Sequence, residues 1–84
     1  MRNFVIKKII DNHTQEDIGE ESPLYRKKVE LIPKISSHFD IDGDQFRCIE
    51  HMPGKVVLTN EQYTLIGMEK QIAFLNLQNG TKTV

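Results

Sequence analysis

Cys48 and His51 are the residues whose types and spacing come nearest to a metal or nucleophilic site. Their C-x-x-H spacing, with His13 and His38 as further ligands, would offer the thiolate and imidazole groups that zinc prefers. Structural zinc sites usually present two recognisable ligand pairs, and the other two histidines show no such spacing. Residues three apart on a strand also point to opposite faces. We therefore predict no metal and no cofactor, and expect a small buried thiol at Cys48 with surface histidines.

Cys48 could also serve as a nucleophile with one of the histidines as its base. A reactive cysteine needs an electropositive, partly open environment, and the sequence around Cys48 indicates neither. The chain has no phosphate-binding Gly-rich loop, Walker lysine, nucleophile elbow or H-E-x-x-H pair. We predict that the protein is not an enzyme, and we assign no catalytic or cofactor-binding residue.

The segment from Asp40 to Asp44 resembles a calcium loop, because its carboxylates alternate along the chain. An EF-hand loop needs Gly at its sixth position and Glu at its twelfth. Counted from Asp40, Gly43 is fourth and His51 is twelfth, so the spacing is wrong for calcium. Asp-Gly is instead a strong signal for a two-residue hairpin turn.

Two basic clusters lie in the first part of the chain, at Lys7-Lys8 and at Arg26-Lys27-Lys28 with Lys34 beyond. Neighbouring strands could gather them into one strip beside Tyr25, as in small barrels that bind nucleic acid. Eleven Lys and Arg oppose twelve Asp and Glu, so the net charge of −1 gives no positive excess. Such lysines also keep exposed strand edges from aggregating. The predicted nucleic-acid or partner contacts are Lys7, Lys8, Tyr25, Arg26, Lys27 and Lys28.

The composition predicts one small folded domain over residues 1–84. Hydrophobic residues make up 38% and charged residues 27% of the 84 residues, which suffices for one core and excludes general disorder. The single cysteine fits a reducing compartment. The apolar run Phe4-Val5-Ile6 is followed at once by two lysines, so it is neither a signal peptide nor a membrane span. We expect a cytoplasmic protein without a membrane partner.

Short apolar segments between Gly, Pro, Asn and Asp predict antiparallel strands. We predict a first strand over 3–10, a polar exposed loop over 11–21, a strand over 27–32 and a final strand over 72–77. Two segments stay open: 22–32 could hold a short helix after Ser22-Pro23, and 59–66 could hold a helical turn, because Thr59 to Gln62 has the capping-box spacing.

Two turns fix the predicted pairing in the middle of the chain. Asp42-Gly43 predicts a type I′ turn, and Pro53-Gly54 predicts a type II turn that pairs a strand through Ile49 with one through residues 56–58. The first turn predicts three opposed pairs: Ile41 with Asp44, Phe39 with Phe46, and Ser37 with Cys48.

The fold class that follows is mainly β, a small antiparallel five-stranded SH3-like barrel or meander with at most one short helix or helical turn. We assign the core to the apolar residues that alternate with polar ones along the predicted strands. The predicted core consists of Val5, Ile9, Val29, Leu31, Phe39, Ile41, Phe46, Val56, Leu58, Ile72 and Phe74.

Ile10-Asp11-Asn12-His13-Thr14, followed by Glu21-Ser22-Pro23-Leu24-Tyr25, resembles segments of short uncharacterised proteins of Gram-positive bacteria and their phages. The strand spacing is similar to that of SH3-like barrels. The resemblance covers about the first third of the chain and implies a fold type. It implies no activity and no functional residue, since such barrels serve many unrelated roles.

Three functions follow from these observations. The leading hypothesis is a protein-binding accessory module, because the chain is small, lacks catalytic motifs and should have strand edges that accept a partner strand. The second is a nucleic-acid-binding small β-barrel that uses the basic strip. The third is a metal-binding or enzymatic site around Cys48, His51 and His38. A homodimer formed through paired strand edges is compatible with each of them.

Overall fold

A computed structural model describes residues 1–69, which form six antiparallel strands in one nearly closed, barrel-like sheet. A single 3-10 turn, Gly19–Glu21, is the only helical element within this range. The strands are β1 (Arg2–Asp11), β2 (Lys28–Leu31), β3 (His38–Ile41), β4 (Asp44–Met52), β5 (Lys55–Thr59) and β6 (Tyr63–Glu69). The prediction of a mainly β, antiparallel fold is confirmed, although the sheet has six strands where five were predicted.

The strand order across the sheet is β2-β1-β6-β5-β4-β3. Strands β3 to β6 follow one another as a meander, whereas β1 pairs with β6 across most of the described sequence. The two ends of the order, β2 and β3, are therefore the edge strands. No helix within residues 1–69 has the length and apolar character needed to cross a membrane.

Both predicted turns of the meander are confirmed. Asp42 and Gly43 have φ angles of 54° and 90°, the positive pair that a type I′ turn requires. Gly54 has φ 80°, as the third position of a type II turn requires. The pairs Phe39–Phe46 and Ile41–Asp44 form as predicted. Ser37 lies just before β3, where its carbonyl accepts a hydrogen bond from the Cys48 amide at 2.9 Å.

The inner face of the sheet carries the core, and one β-bulge decides which residues of β1 belong to it. Phe4 and Ile6 are fully buried, whereas Val5, which was predicted to be in the core, points outward and is only half-buried. The register shifts between Ile6 and Lys8, so Ile9 also points inward despite its odd number. The prediction for Val5 was wrong because strict alternation from Ile9 ignores this extra residue.

Seven other predicted core residues are buried, and Phe39 is half-buried against the core. The confirmed residues are Ile9, Val29, Leu31, Ile41, Phe46, Val56 and Leu58. Cys48 is buried, as expected, and the buried residues that the prediction left out are Phe4, Ile6, Leu24, Val57 and Leu65. Ile72, Phe74 and the predicted strand over 72–77 lie outside the described residues.

Neither segment for which a helix was left open, 22–32 or 59–66, contains a regular helix. The chain after Ser22 runs through turns, the Ser22 hydroxyl accepts a hydrogen bond from the Leu24 amide at 3.2 Å, and β2 then occupies 28–31 instead of 27–32. After β5, the Asn60 side chain accepts hydrogen bonds from the amides of Gln62 and Tyr63, both at 2.9 Å. This Asx-type turn reverses the chain directly into β6, which excludes the capping box at Thr59.

The polar loop over 11–21 lies along the edge of β1 beyond the end of β2. Asp17 forms a bridge with Ile10, and the Ile18 amide donates to the Ile9 carbonyl at 2.8 Å. Most of its residues are exposed, as predicted, but Gly19 is buried and Ile18 packs against the core. The loop therefore covers the edge of β1 at Ile9 and Ile10.

Candidate functional site

A cleft separates the two edge strands of the sheet. Lys27–Leu31 line one side and His38–Asp42 line the other, around a volume of about 470 Å³. We call this cleft the seam. β2 has β1 as its only strand neighbour within residues 1–69, and β3 has only β4. The seam is thus the place where the barrel-like sheet is not closed by strand pairing.

The hydrogen-bond directions of β1 show which groups of β2 face the seam. The Ile6 amide donates to the Lys27 carbonyl at 3.0 Å, so Ile6 bonds toward β2. Successive residues of a strand bond to opposite sides, and Phe4 opposite Val29 is therefore also a hydrogen-bonded pair. The amides and carbonyls of Lys28 and Glu30 consequently point away from β1 and into the seam.

The same reasoning applies to β3. The amide of Cys48 donates to Ser37 at 2.9 Å, so the even-numbered residues in the first half of β4 bond toward β3. Phe39 and Ile41 are their partners in the ladder. The main-chain groups of His38 and Asp40 are left facing the seam. Two unpaired strand edges thus oppose each other.

The floor of the seam is apolar and its rim is charged. Val29, Leu31 and Ile41 are buried, and Phe39 is half-buried between them and solvent. One end is bridged by an ion pair in which Lys27 Nζ lies 2.8 Å from the Asp42 carboxylate. An extended chain with apolar side chains at every second position would fit this arrangement.

Backbone pairing brings together part of the predicted basic strip. The Arg26 amide donates to the Ile6 carbonyl at 2.8 Å, and Lys28 lies opposite Val5, so both segments lie side by side. Other residues of the basic strip lie elsewhere. Lys27 is paired across the seam, and Lys7 lines a shallow pocket with Tyr25.

Acidic residues border the basic strip. The pocket that contains Lys7 and Tyr25 is also lined by Asp17, Glu20 and Glu21, whose carboxylates oppose the positive potential that a nucleic acid requires. Lys8 projects from the outer face, where its partner in β6 is Ile66. The six predicted contact residues are therefore divided among the outer face, the seam and this pocket.

The cysteine and histidines lie in separate environments. The register shifts between Cys48 and Glu50, and this bulge turns His51 to the inner face, contrary to the expectation that residues three apart point to opposite faces. Cys48 is fully buried, however, and the His51 ring nitrogen lies 3.3 Å from the Arg2 guanidinium at the end of the barrel. His38 lies opposite Arg47 on the other face.

Potential metal ligands do not converge in the part of the chain that the structure describes. Within residues 1–69, no group of three or more His, Cys, Asp or Glu side chains is placed to hold a metal ion. His13 is exposed in the polar loop, 3.7 Å from the Asp11 carboxylate. These positions offer no support for the hypothesis of a site built from Cys48, His51 and His38.

Burial raises the pKa of the Cys48 thiol above its ordinary value of 9.0, although a hydrogen bond with the Glu50 backbone opposes this shift. The folded state disfavours the thiolate. The contribution of the protonated Cys48 thiol to stability is therefore complete below pH 9 and is lost as pH rises through the raised pKa. We expect the free energy of unfolding of the wild type to fall above pH 9 relative to that of Cys48→Ala, by at most about 1.4 kcal/mol per pH unit. Urea titrations at pH 7 to 10 measure this difference, and parallel profiles would contradict it.

Sequence reasoning did not identify His38, Asp40 and Glu30 as edge residues of a site. The alternation of polar and apolar residues in 28–31 and 38–41 gives the signal for their faces. Which strands become edges depends on the pairing of β1 with β6, for which the local sequence gives no signal.

Comparison of the chain with protein-family models, with curated proteins and with solved structures gave no significant match.

Proposed function

We propose that this protein is a protein-binding module that takes up an extended segment of its partner in the seam between β2 and β3. The observation that supports the proposal is the pair of opposed strand edges over an apolar floor. Such an edge gives affinity through main-chain hydrogen bonds and selectivity through side chains at alternate positions. The SH3-like type and the cytoplasmic location stay predictions from the sequence.

The side chains around the seam define the class of segment. Inward positions of the bound segment would contact Val29, Leu31, Phe39 and Ile41, so they should be apolar. Outward positions would lie beside Lys28, Glu30, His38 and Asp40, which include two acidic and two basic or titratable groups. This rim favours neither an acidic nor a basic partner. We therefore expect alternating apolar and uncharged polar residues.

Replacing Glu30 by proline tests the proposal directly. Proline removes the Glu30 amide, which points into the seam, and is tolerated on edge strands because that amide makes no bond to β1. Peptides selected from a random display library against the full chain should lose binding by about tenfold or more in Glu30→Pro, because a ladder bond is lost and the ring obstructs pairing.

Glu30→Ala is the matched control, since it removes the same side chain and keeps the amide. It should bind the selected peptides as the wild type does, and circular dichroism should show both variants folded. Selection of no peptide, or equal binding by Glu30→Pro and the wild type, would reject the seam as the site.

The same experiment separates peptide binding from nucleic-acid binding. A single-stranded oligonucleotide is offered to the full chain over a range of salt concentrations. Binding that weakens steeply with salt and is reduced by Lys8→Ala and Lys28→Ala would favour the basic residues of the outer face. Peptide binding through the seam should depend little on salt, because its contacts are main-chain and apolar.

A further inference from the structure

The two edges of the seam are too far apart to pair with each other. Neighbouring strands of a sheet lie about 4.8 Å apart, and opposed Cα atoms in a ladder are separated by about 4.5–5.5 Å. The Cα atoms of β2 and β3 are mostly more than 8 Å apart. One strand between the two edges would set them about 9.6 Å apart, which agrees with this separation.

The ion pair at one end of the seam sets an upper limit on its width. Lys27 Nζ lies 2.8 Å from the Asp42 carboxylate. Because C–C bonds are about 1.5 Å long, the Cα atoms of these two residues are at most about 13 Å apart even when both side chains are extended. Two strands side by side would need about 14 Å between the edges. This end of the seam therefore has room for one strand and no second.

The volume of the seam indicates the length of such a strand. A residue within a sheet occupies about 160 Å³, given a rise of about 3.3 Å, a strand spacing of about 4.8 Å and a sheet thickness of about 10 Å. The volume of about 470 Å³ thus accommodates about three residues. This length matches the edges, where the main-chain groups that face the seam belong to Lys28 and Glu30 on one side and to His38 and Asp40 on the other.

A strand that lies between β2 and β3 must have both of its own edges free. The N–H and C=O groups of one residue point to the same side of a strand, and those of the next residue point to the other side. In the seam these two sides face β2 and β3. A strand that already belongs to a folded sheet has a neighbour on at least one side, which blocks its entry. The same holds for β2 and β3 of a second copy of this chain, because they are bonded to β1 and β4.

We infer that the partner contributes a segment that is unpaired on both sides before it binds, and that about three of its residues become a seventh strand bonded to both β2 and β3. This inference rests on the proposed function and narrows the class of partner. The segment belongs to a tail or linker without regular structure, which orders on binding. The edge of a folded sheet, including that of a second copy of this chain, is excluded as the occupant of the seam.

N-methylation of a peptide selected by display against the full chain tests this inference. Each residue of the peptide is methylated in turn, which removes one main-chain donor, and calorimetry measures the Kd. Methylation at each of three successive residues should weaken binding about tenfold, because each donor faces either β2 or β3. Weakening at alternate residues only would overturn the inference and leave the proposed function intact, because the peptide would then pair with one edge. Selection of no peptide, or equal binding to Glu30→Pro and the wild type, would overturn both.

A β-hairpin that carries the selected sequence in one of its strands is a second probe. Its other strand occupies one edge of that sequence, so the hairpin should bind more than tenfold more weakly than the linear peptide. The matched control has a Gly-Ser segment of equal length in place of the second strand and should bind as the linear peptide does. Equal or tighter binding of the hairpin would overturn the inference, because a single edge of the seam would favour the preorganised strand.

His38→Pro tests the β3 edge on the protein itself, as Glu30→Pro tests the β2 edge. His38 is the first residue of β3 and its amide faces the seam, so proline is tolerated there. His38→Pro should also weaken binding of the linear peptide about tenfold, whereas His38→Ala, which keeps the amide, should bind as the wild type does. Wild-type binding by a folded His38→Pro variant would overturn the inference, and the N-methylation series decides it if that variant does not fold.

Discussion

Replacing Phe4 by alanine should destabilise the protein by about 3–5 kcal/mol, the range observed for removal of a fully buried phenylalanine. Phe4 has no exposed surface and lies opposite Val29 on one side and Glu69 on the other. Its ring also approaches Gly67, the one position of β6 without a side chain to fill the space left behind. Urea unfolding followed by circular dichroism measures the change in the free energy of unfolding.

Val5→Ala is the control for this substitution, because Val5 is the next residue of the same strand and points to the outer face. It should cost much less than Phe4→Ala, because its side chain is smaller and half-exposed. The contrast tests the register of β1 as well as the core. A larger loss of stability for Val5→Ala than for Phe4→Ala would mean that Val5, and not Phe4, points into the core.

Gly67→Val should destabilise the protein by about 1–3 kcal/mol, the usual cost of adding volume to a packed core. A Cβ at this position would lie 3.1 Å from a Val56 methyl carbon and 3.3 Å from the Phe4 Cβ. The Phe4 Cβ is fixed to the backbone of a buried strand, so it cannot move aside as the end of a flexible side chain would. Valine favours a strand more than glycine does, so a net loss of stability would have to come from the crowding at this position.

Thermal unfolding of Gly67→Val and of Ile66→Val measures this effect. Ile66 precedes Gly67 in β6 and points to the outer face, so its conversion to valine should change the midpoint little. An equal or higher midpoint for Gly67→Val than for the wild type would show that the inner face at this position has room that the structure does not give it.

The turns and most strands could be predicted from the sequence because their signals are local. Asp42-Gly43 and Pro53-Gly54 require positive φ at defined positions, and the structure has those angles. A turn of fixed length also fixes the register of the strands beside it, which is why the pair Phe39–Phe46 was predictable.

The bulges could not be predicted, and they decide which side chains share a face. The bulge in β1 places both Ile6 and Ile9 in the core, and the one in β4 turns His51 inward with Cys48. Each inserts one residue that no residue type marks. A period of two, applied through a bulge, assigns every residue on one side of it to the wrong face.

The candidate site was harder to predict than the fold. The sequence predicted that free strand edges would exist but not which strands would form them. The seam exists because β1 pairs with β6 and leaves β2 and β3 at the ends of the strand order. That pairing joins residues about as far apart as the described sequence allows, and its signal is spread over both strands. The basic residues were conspicuous in the sequence, yet the fold divides them.

The pairing of β1 with β6 also sets the order in which the chain can acquire its structure during synthesis. β1 leaves the ribosome before the other described strands, whereas its partner β6 leaves after all of them. The meander from β3 to β6 needs only short loops and can form as each hairpin emerges. β2 and the polar loop can cover one edge of β1 early, but until β6 emerges the other edge lacks its partner and is exposed to wrong ones. Lys7 and Lys8, at its bulge, are well placed to keep the nascent chain from aggregating during that interval.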